Sequence, residues 1–255
     1  MINKITIIGS GNVAHNLAHS FKKLGLEIVE IYSRNLENAK SLAKEINCDF
    51  TNDLSQLNTT SDLYIIAVKD DAISIIASKL NLKNKLIVHT SGSVKINVLK
   101  EISDSYGSFY PLQTFTKEKI IDLNQVPICV EGNNSENQKI IELFAKSISK
   151  KVHVLNSNQR GKLHLAAVFT SNFSNFMQVI AQDICEKENI DSELLKPLFI
   201  EVYEKNLTQK AEKNQTGPAK RKDYSTMEKH LELLEDEEIK KFYGLVSEMI
   251  IKRFS

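Results

Sequence analysis

The sequence predicts an α/β fold: a doubly wound parallel sheet followed by an all-helical C-terminal domain. Short apolar runs alternate with helical patterns up to about Asn156, and strand signals vanish beyond it. The chain also opens on a strand that breaks into a glycine-rich turn and runs on as a helix. Lys4-Ile5-Thr6-Ile7-Ile8 is an apolar run suited to a buried parallel strand, and Gly9-x-Gly11-x-x-Ala14 follows it. Ala14, Leu17, Ala18 and Phe21 then fall at helical spacing. Strand, tight turn and helix in this order are the context of the dinucleotide fingerprint. Gly9 allows the turn, Gly11 lets a pyrophosphate approach the backbone, and Ala14 stands where helix meets strand. Ser10, Asn12 and Val13 complete the turn, and the N–H groups at the helix start face the anion.

The remaining elements follow in order. Ile28–Tyr32 reads as the second strand and Leu36–Ile46 as the helix after it. Asp62–Val68 is a third strand, followed by a helix carrying Ile73, Ile76 and Leu80. Leu86–His89 is a fourth. Val126–Val130 and Val152–Leu155 flank a helix over Glu136–Ser147. Helices are expected at Gly161–Glu188, Pro197–Lys210, Thr226–Leu234 and Glu237–Arg253, with Ser225-Thr226-Met227-Glu228 as a capping box. The expected domains are residues 1–156, which bind the dinucleotide, and 157–255, which are helical. Lys210–Asp223 is a polar, basic loop between helices.

Composition excludes several classes. The 255 residues are 42% hydrophobic, enough for a sizeable core. A net charge of +1 offers no bulk attraction to nucleic acid or acidic membranes. No apolar run approaches the roughly 20 residues of a membrane span. Three scattered cysteines, Cys48, Cys129 and Cys185, form neither a disulfide framework nor a ligand cluster, which points to a reducing cytoplasm. His15 and His19 lie four apart on the first helix, but the sequence offers no third ligand, so no metal is expected.

The end of the second strand selects the nucleotide. An NAD site carries a carboxylate there for the ribose 2′-hydroxyl. Here stand Tyr32, Ser33, Arg34 and Asn35, whose hydroxyl, guanidinium and amide suit a 2′-phosphate, so the expected cofactor is NADP(H). Val68 and Lys69, after the third strand, and Ser91, in His89-Thr90-Ser91-Gly92-Ser93, are further cofactor-contact candidates. Phe109-Tyr110-Pro111-Leu112-Gln113-Thr114-Phe115 reads either as a core loop or as a roof over the site made by Tyr110 and Gln113.

In the helix from Gly161, Leu165, Phe169, Phe173, Phe176 and Ile180 form one apolar stripe. His164, Val168, Ser171, Asn172 and Asn175 lie on another face. Such a helix is expected to be buried on several sides. Its apolar excess predicts a homodimer built mainly by the helical domain.

These segments together resemble the bacterial Rossmann-like proteins with a DUF2520 C-terminal domain. That family is described as deazaflavin- or NADP-dependent oxidoreductases of the 6-phosphogluconate dehydrogenase-like superfamily. The matching pieces are Gly9–Ala14, Ala67-Val68-Lys69-Asp70, His89–Ser93, Phe109–Phe115, Leu163–Phe169 with Asn172, and Thr216–Asp223 running on to Thr226 and His230. The resemblance implies NADP(H) binding, a helical second domain and dimerisation. More distant relatives include ketopantoate reductases, so a 2-oxo acid is one candidate substrate. Their Lys-x-x-x-Asn helix is absent, because Lys162 is followed four residues on by Ala166. The C-terminal signature of pyrroline-5-carboxylate reductases is also absent.

The expected activity is NADPH-dependent reduction of a small carbonyl or imine. Its rival is a non-catalytic NADP(H)-binding sensor or structural protein. The substrate is expected near His164, Asn172, Arg221 and Asp223. His164 would be the proton donor, because imidazole changes charge near neutral pH, and His230 the second choice. Asn172 would orient a substrate oxygen. Arg221 would pair with a substrate carboxylate, and Asp223 would hold Arg221 or a histidine.

Overall fold

Runs of isoleucine and valine build the sheet, since β-branched side chains fit the pleat. The computed structural model describes residues 2–255. The strands are β1 (Lys4–Ile8), β2 (Glu27–Tyr32), β3 (Asp49–Thr51), β4 (Leu63–Ile66), β5 (Leu86–His89), β6 (Ser105–Pro111), β7 (Ile128–Gly132) and β8 (Val152–Val154). They form one sheet in the order β3-β2-β1-β4-β5-β6-β7-β8. The order reverses at β1 and β4, the switch point beside whose carboxyl ends doubly wound sheets bind ligands.

Side chains alternate between the two faces. Ile5, Ile7, Leu63, Ile65 and Val88 join one buried cluster with Leu17, Phe21 and Phe144. Ile8, Tyr64, Ile66 and Ile87 join a second cluster with Ile73 and Ile76. The helices that cover these faces are α1 (Asn12–Lys23), α2 (Leu36–Ile46), α3 (Asp70–Ala77) and α4 (Ser135–Lys146).

The sheet departs from the expected all-parallel pattern at one pair. β7 runs antiparallel to β6, because the chain between them turns back without a crossover helix. β6 takes up the first three residues, Phe109, Tyr110 and Pro111, of the aromatic segment that read as a loop or a roof. Its Phe109 is fully buried.

By compactness the chain divides into Met1–Met177 and Gln178–Ser255. The first unit runs past the composition change near Asn156, because the next helix is anchored on the sheet. That helix is α5 (Ser157–Ala167), opened by an Asn156–Gln159 capping box. A π-helical segment, Val168–Phe173, joins it to α6 (Ser174–Lys187). The rest is α7 (Lys196–Thr208), α8 (Ala211–Asn214), α9 (Pro218–Arg221), α10 (Tyr224–Leu233) and α11 (Glu237–Phe254).

Two expectations about these helices are corrected. The cap of α10 is Asp223, whose carboxylate accepts from the Thr226 backbone N–H, so Ser225 lies inside the helix. The stripe Leu165, Phe169, Phe173 and Phe176 is exposed rather than buried.

Candidate functional site

The fingerprint turn sits at the switch point. Gly9 has φ +137°, and a Cβ there would stand 2.1 Å from the Ala67 carbonyl oxygen, so glycine alone fits between β1 and β4. A Cβ on Gly11 would meet nothing within 4 Å, which leaves the approach to the backbone open. Gly11 is the N-cap of α1. No side chain caps this helix and its first turn holds no acid, whereas α2, α4 and α5 are capped by Asn35, Asn134 and Asn156. Uncapped N–H groups beside an open glycine are the cradle a pyrophosphate requires. Ser10 Oγ donates to Ser33 Oγ at 2.8 Å and ties the turn to the end of β2.

The other cofactor candidates divide by what they already touch. Arg34 is exposed, and no salt bridge among the described residues involves it. The side-chain oxygen of Asn35 caps α2 by accepting from Asn38 N–H, which fixes the side chain and leaves its amide N–H groups as donors. Asn12 Nδ2 donates to the Phe115 carbonyl and fastens the β6–β7 loop to α1. Val13 is half-buried against the core. Val68 borders Gly9, and Lys69 is exposed at the N-cap of α3. The Ser91 hydroxyl accepts from the Ser93 and Val94 backbone N–H groups, which makes it a turn-former.

A second constellation forms where α5 crosses the carboxyl end of β5. His164 Nδ1 and Tyr110 Oη share a hydrogen bond of 3.0 Å. Burial pushes the Tyr110 phenol up to about 12, so it keeps its proton at neutral pH. A Cβ on Gly92 would lie 2.6 Å from His164 Cγ; the glycine is what admits the imidazole.

One turn earlier on α5, Arg160 is fully buried. It donates to the Ser91 carbonyl at 3.2 Å, to Ser108 Oγ at 2.9 Å, and to the Val94 carbonyl and the Glu131 carboxylate. Three segments, the loop after β5, β6 and β7, thus converge on one guanidinium, which fixes α5 and with it His164. His89 lies in the same wall, fully buried, with Nε2 unpartnered. Burial and then the Arg160 charge push its pKa down to about 3, so it stays neutral.

Sequence reasoning missed Arg160 entirely and left Tyr110 between a core loop and a roof over the site. Buried arginines have no sequence signature, since their partners lie far along the chain. Asn172 falls in the π-helical segment and is exposed, so the simple two-turn relation to His164 is interrupted. In the second unit Arg221 ends α9 and is exposed. Asp223 caps α10 instead of holding Arg221 or a histidine; its carboxyl is held below the usual range by Thr226 hydrogen bonds. His230 Nδ1 bonds Tyr243 Oη at 2.8 Å. His15 and His19 do have a third neighbour, Glu45 of α2, which spacing along one helix does not reveal.

Residues 126–250 match the DUF2520 family, a domain of unknown function, and residues 4–92 match the family described as NADP oxidoreductase, coenzyme F420-dependent. A crystal structure of BF3122 from Bacteroides fragilis, a candidate NADP oxidoreductase, is 36% identical, with 98% of each chain covered and a TM-score of 0.92. TM1727 from Thermotoga maritima is 24% identical over 98% of this chain and 96% of its own, with a TM-score of 0.71. An imine reductase from Myxococcus stipitatus, in complex with NADP+, shares the fold at 16% identity, 98% and 92% coverage and a TM-score of 0.66. The comparison with curated proteins gives no match. With an uncapped Gly-rich turn at the switch point and this relative over nearly its whole length, the chain belongs to the Rossmann-like NADP oxidoreductase family that carries a DUF2520 domain in its C-terminal half.

Proposed function

We propose that the protein is an NADPH-dependent reductase of a small carbonyl or imine, with a 2-oxo acid as one concrete substrate. The observation that carries this reading is the His164–Tyr110 pair against Gly92, at the carboxyl end of β5. Bound NADPH would supply a hydride to the substrate carbon. Reducing C=O or C=N then requires one proton at the heteroatom, and this is the step the chain's own residues serve. Tyr110 retains its proton at neutral pH and shares it with His164, so the pair can deliver a proton and recover it from solvent. The turn at Gly9–Gly11 would hold the pyrophosphate, and Arg34 the 2′-phosphate.

The test begins with 2-oxo acids and cyclic imines screened for NADPH oxidation. On the substrate found, His164→Ala lowers turnover about a hundredfold or more while sparing NADPH affinity. Tyr110→Phe lowers turnover in the same direction. A His164 variant that loses stability and keeps its turnover overturns the assignment. Binding of NADPH with no turnover on any substrate favours the non-catalytic alternative.

We propose also that two copies pair through the exposed apolar faces of α5 to α7, and that the protein works in the cytoplasm. No helix among the described residues is long and apolar enough to cross a membrane.

A further inference from the structure

The geometry points to a divalent transition-metal site formed by His15, His19 and Glu45, clipping α1 to α2. His15 and His19 stand one helical turn apart on α1, where an i, i+4 pair shares a face. Their rings lie 4.5 Å apart between centroids. Both turn Nε2 toward one oxygen of Glu45 on α2, each at 3.0 Å. The three donor atoms all lie within 4.8 Å of one another. Bonds of about 2.0–2.1 Å in a tetrahedral site need donor atoms about 3.4 Å apart, so each imidazole–carboxylate pair, now at 3.0 Å, opens by a few tenths of an ångström, and side-chain rotation brings the two nitrogens to the same spacing.

The donor set selects the ion. Two imidazoles and one carboxylate suit zinc or a neighbouring borderline ion; magnesium and calcium prefer all-oxygen shells. His15 forms the inner wall, with 11% of its side chain exposed, while His19 at 28% and Glu45 at 43% form the outer rim. The rim leaves room for water as the fourth ligand.

The experiment uses the full chain, stripped with a chelator and free of nucleotide. Calorimetric titration with zinc alone should give one ion per chain at micromolar Kd or tighter, and Tm should rise by about 5 °C or more at saturation. Cobalt should give the visible absorption of a tetrahedral N/O site. Magnesium should bind at least a hundredfold more weakly. His19→Ala and Glu45→Gln, both on the rim and checked for fold by circular dichroism, should each weaken zinc at least tenfold. Unchanged zinc affinity in both variants, or no saturable binding below about 100 μM zinc in the wild type, overturns the site.

Discussion

Arg34 is the residue on which cofactor choice rests. Ser33 and Asn35 beside it are held through their acceptor atoms, Ser33 Oγ by the Ser10 hydroxyl and Asn35 Oδ1 by the Asn38 N–H, and of the three only Arg34 carries a charge to set against a phosphate. One charge-assisted hydrogen bond contributes about 1.5–3 kcal/mol, or about ten- to a hundredfold in affinity. NADPH should therefore bind more tightly than NADH, and Arg34→Ala should erode the preference at least tenfold. Equal wild-type affinities by calorimetry would refute this. His89 sets a pH dependence of a different kind. Its folded pKa of about 3 lies below the ordinary histidine value, so between pH 3 and about 6.5 the unfolded chain binds a proton that the folded chain does not. This contribution to stability is present above about pH 6.5 and is lost as pH falls toward 3. Its slope reaches at most about 1.4 kcal/mol per pH unit. His89→Asn keeps an acceptor for the Ser91 N–H and should flatten the slope, read by urea denaturation at pH 7 and pH 5.

At the scale of elements, α5 is held by a buried ion pair rather than by an apolar stripe. Arg160 is fully buried and meets Glu131, whose side chain is 15% exposed. Removing one partner of such a pair costs about 3–5 kcal/mol, because the other charge is left uncompensated. Arg160→Ala should lower the urea midpoint accordingly. It should also reduce turnover, since His164 rides on the same helix one turn away. A loss under about 1 kcal/mol would show that α5 is anchored otherwise. This anchor also marks where sequence reading stops. The fingerprint and the strands β1, β2, β4 and β5 were legible because their patterns are local. β3 has only three residues and therefore no period to read. β6, with Ser, Gly, Tyr and Pro, has the composition of a loop, and its pairing with β7 supplies the order. Glu45 reaches His15 across 30 positions and Arg160 reaches Ser91 across 69, separations at which no spacing rule operates. β7 and β8 were legible as strands at Val126–Val130 and Val152–Leu155, but the antiparallel direction of β7 was not, because direction is set by the connection and not by the strand's own residues.

For the whole molecule, α7 makes the strongest case for a partner. It has 13 residues, none of them buried, and it exposes Leu198, Phe199, Val202, Tyr203 and Leu207. A helix this short is marginal in water on its own, and its stability must come from packing. Leu165, Phe169, Phe173 and Phe176 add a second exposed apolar face on the helical run that begins with α5, with Phe169 61% exposed. Single apolar residues on a surface are ordinary, but contiguous faces of this kind mark interfaces. A second copy is the partner that the chain itself supplies, and a net charge of +1 sets up little repulsion between copies. Each large apolar side chain removed from water contributes about 1.5–3 kcal/mol, against about 4–15 kcal/mol lost on association, so a micromolar dimer requires several of these side chains to be buried together. Light scattering should accordingly give twice the 28.9 kDa chain mass at micromolar concentration. Placing a carboxylate at the middle of the stripe, as in Phe169→Glu with Phe173→Glu, should weaken the dimer at least a hundredfold while leaving the sheet unit folded. A wild-type mass of 28.9 kDa throughout the micromolar range would mean that these faces serve another partner.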